Sequence, residues 1–399
     1  MANRIQLILR DKRWQLFLLF WVVNVVLSIV YKFYYYHTGQ HLHYTWLPDM
    51  LFFLLLIIAI SPKENGLVLV GVFSLLLFKI IGSWSIASHY PNDIDLYKDV
   101  IKTWMGYVYI FPLFLLLSNG VEKKPIEIPK YVKHGFVVLA GGLACSVFVG
   151  LLIKAKVLQT YLNPNRFGIS GFLYPSSYVS YFYILSISAT YLLHKRVPAK
   201  RTYSILLYTL SLAALLSGTK STYLFLLVFY TLYIIDKQYY RKKWLWAILG
   251  AIGLLLVYFR HKLASVFSVL LELYQKEDFL TFALSYRNIY AQSTWVFIQE
   301  NWTWVNYLFG GLDNVNQLTE MAFIDLFLNF GILGSGLFII LYYRLIIRLL
   351  DWSPMHMVVA ISIIILIAIG GNFFDRIHLA YWLALLLLLN QKGKSKTPI

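Results

Sequence analysis

The stretch LSGTKST at 216–222 puts a lysine in a narrow gap between two apolar runs. A reversal of chain direction asks for glycine and serine, not for a cation. Lys220 stands where the second run, YLFLLVFYTLYII, begins. The first N–H groups of a helix are unsatisfied and partly positive. A cation there, with Ser217, Thr219 and Ser221 beside it, makes a favourable seat for phosphate or diphosphate. The order G-T-K-S is not a P-loop, in which the second glycine directly precedes the lysine. A plain hairpin whose lysine reaches lipid headgroups explains the same residues.

Other charged residues flank long apolar runs in the same way. Arg166 follows Asn163-Pro164-Asn165 in NPNRFGISGFLYPSS, a tight polar turn. Arg287 lies in LSYRNIYAQSTW, an aromatic, helix-like stretch, and Arg260, His261 and Lys262 end an apolar run. Glu320 and Asp325 lead into the run FLNFGILGSGLFIILYY. Five residues apart, the two carboxylates stand about 140° apart around a helix. They share a direction only if the helix begins after Glu320. Asp325 also suits a helix N-terminus as a simple dipole partner.

The elements that carry these groups follow from composition. The chain is 59% hydrophobic and 13% charged, about half the charge of an ordinary soluble domain. Its runs match the roughly 20 residues that cross a bilayer, and they do not alternate as barrel strands do. The reading is an all-α polytopic membrane protein, a single integral membrane domain over 1–399 with about 12 spans. These fall at roughly 14–32, 46–61, 67–83, 103–119, 135–153, 172–193, 203–217, 221–236, 244–260, 321–343, 353–371 and 377–391. The first lacks a small-residue cleavage site and is expected to be retained.

Lysine and arginine concentrate at the N-terminus (Arg4, Arg10, Lys12, Arg13), at Lys123–Lys133, Lys195–Arg201 and Lys237–Lys243, and in the tail. That bias puts both termini in the cytoplasm and accounts for most of the +17 net charge without nucleic acid. The one long extracytoplasmic loop is then 261–320, between spans 9 and 10, and its aromatics point to short helices. The inner loops are too short for a nucleotide-binding domain. Cys145 is the single cysteine, so an intrachain disulfide is impossible, and no Cys/His spacing suggests a metal.

Three motifs in this order resemble the Wzy-type polysaccharide polymerases and the related O-antigen ligases. NPNRFGISGFLYPSS is similar to the family's arginine–glycine turn before a span. LSGTKSTYLFLLV is similar to its Ser/Thr-Gly-Ser-Arg-Gly turn, with Lys220 in the arginine place. TEMAFIDLFLNFGILGSGLFIILYY resembles its ending, in which a polar residue precedes a helix with G-x-x-G, here Gly331 and Gly334. In the ligase branch a histidine stands eleven residues before that first glycine. Glu320 holds the position here, which fits a polymerase better.

The resemblance implies the joining of undecaprenyl-diphosphate-linked repeat units into a capsule, exopolysaccharide or O-antigen-type polymer on the outer face of a bacterial cytoplasmic membrane. A hydroxyl on one unit attacks the anomeric carbon of another, and undecaprenyl diphosphate leaves. No cofactor, nucleotide or metal is needed, because the leaving group carries its own activation. Arg166, Lys220 and Arg287, with Arg260, would hold the diphosphate. Ser217, Thr219, Ser221 and Asp325 would contact substrate. Glu320 would take the hydroxyl proton, with His261 second. Membrane lipid, a chain-length regulator and a flippase are the candidate partners. The alternatives are ligase-type transfer of finished glycan and a lipid-linked oligosaccharide flippase; the latter would carry charged groups near the bilayer midplane.

Overall fold

The computed structural model describes residues 8–9, 11–40, 47–60, 62–89, 92–118, 127–161, 167–173, 176–197, 201–260, 274–275, 278–312, 319–349, 360, 364, 367, 371 and 373–390. Its helices are α1 (Arg13–Thr38), α2 (Leu47–Ala59), α3 (Pro62–Ser85), α4 (Asp93–Val108), α5 (Ile110–Ser118), α6 (Lys130–Ile153), α7 (Ser176–Arg196), α8 (Arg201–Leu216), α9 (Lys220–Asp236) and α10 (Lys243–Tyr258). They continue with α11 (Phe279–Leu284), α12 (Arg287–Asn301), α13 (Trp304–Phe309), α14 (Ala322–Leu345) and α15 (Ile377–Leu389). Helices occupy every expected span except 353–371, of which only 360, 364, 367 and 371 are described.

Among the described residues, five helices are long and apolar enough to cross a membrane: Arg13–Thr38, Asn65–Ser85, Asp93–Ser118 (α4 running on into α5), Lys130–Ile153 and Ala322–Leu345. The chain is a helical membrane protein. Three helices are wrapped by the rest. Every residue of α5 is buried, as is Leu379–Leu389 of α15, and α7 is buried from Tyr178 through Leu193. Helices apolar on all sides belong in a bundle core, and those with an exposed apolar face belong at lipid.

Lipid tails are as apolar as leucine, so packing rather than exclusion of water draws such helices together. Interlocked rings supply that packing here. Trp21 of α1 meets Trp382 of α15 edge-on at 4.6 Å, and Phe182 of α7 meets the same ring at 4.8 Å.

The segment between α10 and α14 is clamped to the bundle. Within it α13 lies against α3 and α14. Asn306 of α13 donates to the Gly82 carbonyl at 3.2 Å and to the Gly310 carbonyl at 2.9 Å, and it also bonds Ser85 Oγ. The Gly311 N–H reaches the Leu328 carbonyl at 3.0 Å. The close approach depends on Gly331, where α14 breaks at φ 65°, ψ −169°. A Cβ there would strike the backbone of Leu308 and Phe309. The first glycine of G-x-x-G is thus a crossing point between two pieces of backbone.

Gly331→Ala should therefore destabilise the detergent-solubilised protein by at least the roughly 1–3 kcal/mol of a forced left-handed residue. Gly336, in the same helix with open space around it, should tolerate alanine or gain about 0.5–1 kcal/mol. Thermal unfolding of the two variants against the parent checks the pair.

Candidate functional site

The turn at Lys220 is built from hydroxyls facing inward. Ser217 Oγ donates to the Ala214 carbonyl at 2.7 Å, and Thr219 Oγ1 donates to Thr222 Oγ1 at 2.5 Å. Ser180 of α7 donates to Thr219 at 2.9 Å. Ser217 and Thr219 are buried, whereas Lys220 and Ser221 in the first turn of α9 are half-buried. Thr219 thus locks the turn to α7, Ser217 closes it onto α8, and Lys220 and Ser221 are the accessible members of the group.

A second segment docks on the same turn. The chain folds back so that the Thr160 N–H reaches the Gly168 carbonyl at 2.9 Å, and Gln159 bridges Ile169. Thr160 Oγ1 donates to the Ser217 carbonyl at 2.8 Å, and the Ile169 N–H to the Leu216 carbonyl at 2.8 Å. Arg166 lies outside the described residues, but the chain on either side of 162–166 rests on the Lys220 turn. Lys32 of α1 secures the far end of this segment. Its buried ammonium donates to Ser170 Oγ at 2.7 Å and to the carbonyls of Gly171 at 2.5 Å and Leu173 at 2.9 Å.

Lys220 Nζ donates to the Phe282 carbonyl at 2.5 Å and sits 4.1 Å from the centroid of the Phe282 ring. This ties α9 to α11. Asp278 caps α11 by accepting from the Thr281 N–H at 3.1 Å. Hydrogen bonding to Thr281 holds the Asp278 carboxyl below its ordinary value. A lowered folded value means the cap is present above the carboxylate range and is lost as pH falls through that lowered value.

Between α11 and α12, Ser285 at φ 54° and Tyr286 at φ 69° both take the left-handed conformation. The bend makes Arg287 the first residue of α12. Its Nη1 donates to the Leu284 carbonyl at 3.4 Å and its Nη2 to Glu320 Oε2 at 3.3 Å. Lys220 and Arg287 are therefore joined through one six-residue helix, α11. Neither α9 nor α12 reveals this in its own sequence.

Glu320 stands before α14, at φ 54°. The helix does begin after it, so the 140° separation from Asp325 does not apply. The two carboxylates still serve different partners. Asp325 is buried, and its Oδ1 accepts from the Thr319 N–H at 2.9 Å and from Thr319 Oγ1 at 2.8 Å. Its Oδ2 meets no hydrogen-bond partner among the described residues. Glu320 faces Arg287, with 43% of its side chain exposed. Its backbone lies against Gly371, where a Cβ would strike the Glu320 carbonyl. Tyr181 of α7 holds the Gly371 carbonyl through its hydroxyl at 2.8 Å. Ser285, Tyr286 and Glu320 take a conformation that side chains resist, and such residues gather at sites where geometry is imposed from outside. Arg260 is exposed at the end of α10. His261 lies outside the described residues.

Some polar groups were not singled out in the sequence. Among the apolar faces of α1, α2 and α15, Asn24 Nδ2 donates to Asp49 Oδ1 at 2.6 Å, and His378 Nδ1 bonds Asn24 Oδ1. Asn24 and Asp49 are buried, and His378 is partly exposed. Arg376 and Asp375 sit just before α15, with their side chains 37% and 24% exposed. Lys79 of α3 is fully buried, donating to Asn329 Oδ1 at 2.9 Å with Asp99 at 4.0 Å. The available signal was the isolated polar residue in an apolar run, which is costly in a membrane and kept for a reason.

Comparison with known proteins finds no matching family model, no similar curated protein and no similar solved structure.

The half-exposed Arg287–Glu320 pair adds little to stability. Glu320→Gln should shift unfolding by less than about 1 kcal/mol. Lys32→Met removes the donor from two buried carbonyls and should cost about 1–3 kcal/mol. Thermal melts of both variants in one detergent test the contrast.

Proposed function

We propose that this protein is a membrane glycosyltransferase that polymerises polyprenyl-diphosphate-linked oligosaccharide units. In this reading it has about twelve spans, both termini are cytoplasmic, and 261–320 faces the periplasm or exterior of a bacterium. Lys220 and Arg287 grip the diphosphate as it departs. Neutralising charge that grows in the transition state is the largest single contribution many enzymes make. An arriving diphosphate would compete with the carbonyls of Phe282 and Leu284 for the two cations. Glu320 steadies the guanidinium until substrate arrives. The half-buried Ser221, in the first turn of α9, is the hydroxyl best placed beside Lys220.

One observation carries the reading. Two cations 67 positions apart in the chain, Lys220 and Arg287, are fastened to carbonyls two residues apart in α11, Phe282 and Leu284, the first by a 2.5 Å hydrogen bond. Arg166, on a segment whose flanks contact the Lys220 turn, is the third candidate.

A second reading, a lipid-linked oligosaccharide flippase, is favoured by the buried Lys79–Asn329 contact and by the Asn24–Asp49 bond inside the bundle. Intramembrane ionisable groups are common in transporters.

A cell dependent on this gene for its polymer separates the two. Lys220→Ala and Arg287→Ala should insert normally yet abolish long-chain polymer, with single-unit lipid intermediates accumulating on the outer leaflet. Accumulation on the inner leaflet would assign the protein to transport. Normal polymer length in both variants would end the enzymatic reading.

A further inference from the structure

Glycosyl transfer must dispose of the proton on the attacking hydroxyl, and the acceptor assigned to it here rests on the polymerase reading. Glu320 engages Arg287, leaving that acceptor open. His378 has a geometry that Glu320 lacks. The amide N–H of Asn24 donates to Asp49 Oδ1 at 2.6 Å. That orients Asn24 Oδ1 toward His378 Nδ1. An amide oxygen can only accept, so Nδ1 carries the proton and Nε2 is left bare. The chain Asp49–Asn24–His378 thus sets the tautomer of a proton acceptor, the arrangement by which a third group orients a base.

The location also fits. From Leu379 to Leu389, α15 is enclosed by protein, while Phe374 to His378 at its mouth are partly exposed. His378 therefore stands where the protein enclosure of α15 ends. The His378 ring packs against Tyr178 with centroids 5.9 Å apart. Tyr181, whose hydroxyl holds the Gly371 carbonyl beside Glu320, is one turn further along α7. That separation is about 4.5 Å along the helix axis.

We propose that His378 is the general base of the transfer. The acceptor hydroxyl oxygen bonds to the anomeric carbon as the bond from that carbon to the diphosphate oxygen breaks. The electron pair leaves with the diphosphate, the hydroxyl proton passes to His378 Nε2, and the imidazolium later returns it to water. Asn24 and Asp49 are positioning residues.

The test uses cells carrying the full chain at matched membrane levels. His378→Ala should slow polymer formation by about 10²–10⁴-fold, and imidazole in the medium should restore at least tenfold of the loss. His378→Gln, which cannot take a proton, should be equally slow. Imidazole should not rescue Arg287→Ala. Normal polymer in His378→Gln, or loss in His378→Ala that imidazole leaves unchanged, overturns the assignment. If Lys220→Ala and Arg287→Ala lose polymer while His378→Gln does not, the polymerase reading survives and only the base is wrong. If all of them make normal polymer, both fall.

Discussion

Where a backbone carbonyl inside a membrane protein lacks a partner within a helix, it has no water to turn to. This constraint organises the structure. Lys32 closes the carbonyls of Gly171 and Leu173, Asn306 those of Gly82 and Gly310, and Tyr181 that of Gly371. Lys220 closes Phe282, Arg287 closes Leu284, and Arg196 bonds the Leu389 carbonyl at the end of α15. Apart from the local Arg287–Leu284 and Asn306–Gly310 bonds, these ties join segments distant in the chain. Long polar side chains do here what ladder hydrogen bonds do elsewhere.

The constraint bears directly on the candidate site. Lys32 is buried, and its three acceptors make a finished structural bond. Lys220 and Arg287 are only partly buried; Lys220 donates to a carbonyl at 2.5 Å, and Arg287 donates to a carbonyl at 3.4 Å and to Glu320 at 3.3 Å. Close packing at Gly331 sets α13 against α14.

The second polar layer lies deeper. Asn24, Asp49 and His378 connect three helices that are otherwise apolar, and Lys79 joins α3 to α14 through Asn329. Interhelical hydrogen bonds in membranes contribute only about 0.6–2 kcal/mol each, so stability alone is a weak reason to keep ionisable groups there. A fixed tautomer at the open end of α15 is a stronger one. That end and the Arg287–Glu320 pair meet through α7, which presents Tyr178 to one and Tyr181 to the other.

The sequence alone determined that this is a helical membrane protein and where nearly all its helices lie, because apolar runs must form internal hydrogen bonds in lipid. It also marked Lys220, Arg287 and Glu320 as charges out of place at the edges of those runs. It could not show that Ser217 and Thr219 turn inward, that Glu320 precedes its helix and faces Arg287, or that Asn24, Asp49 and His378 form one chain. Those facts depend on contacts between residues 25 to 354 positions apart. Local patterns record how a segment prefers to fold, and they carry no record of which segment it meets; only the packing of the bundle decides that.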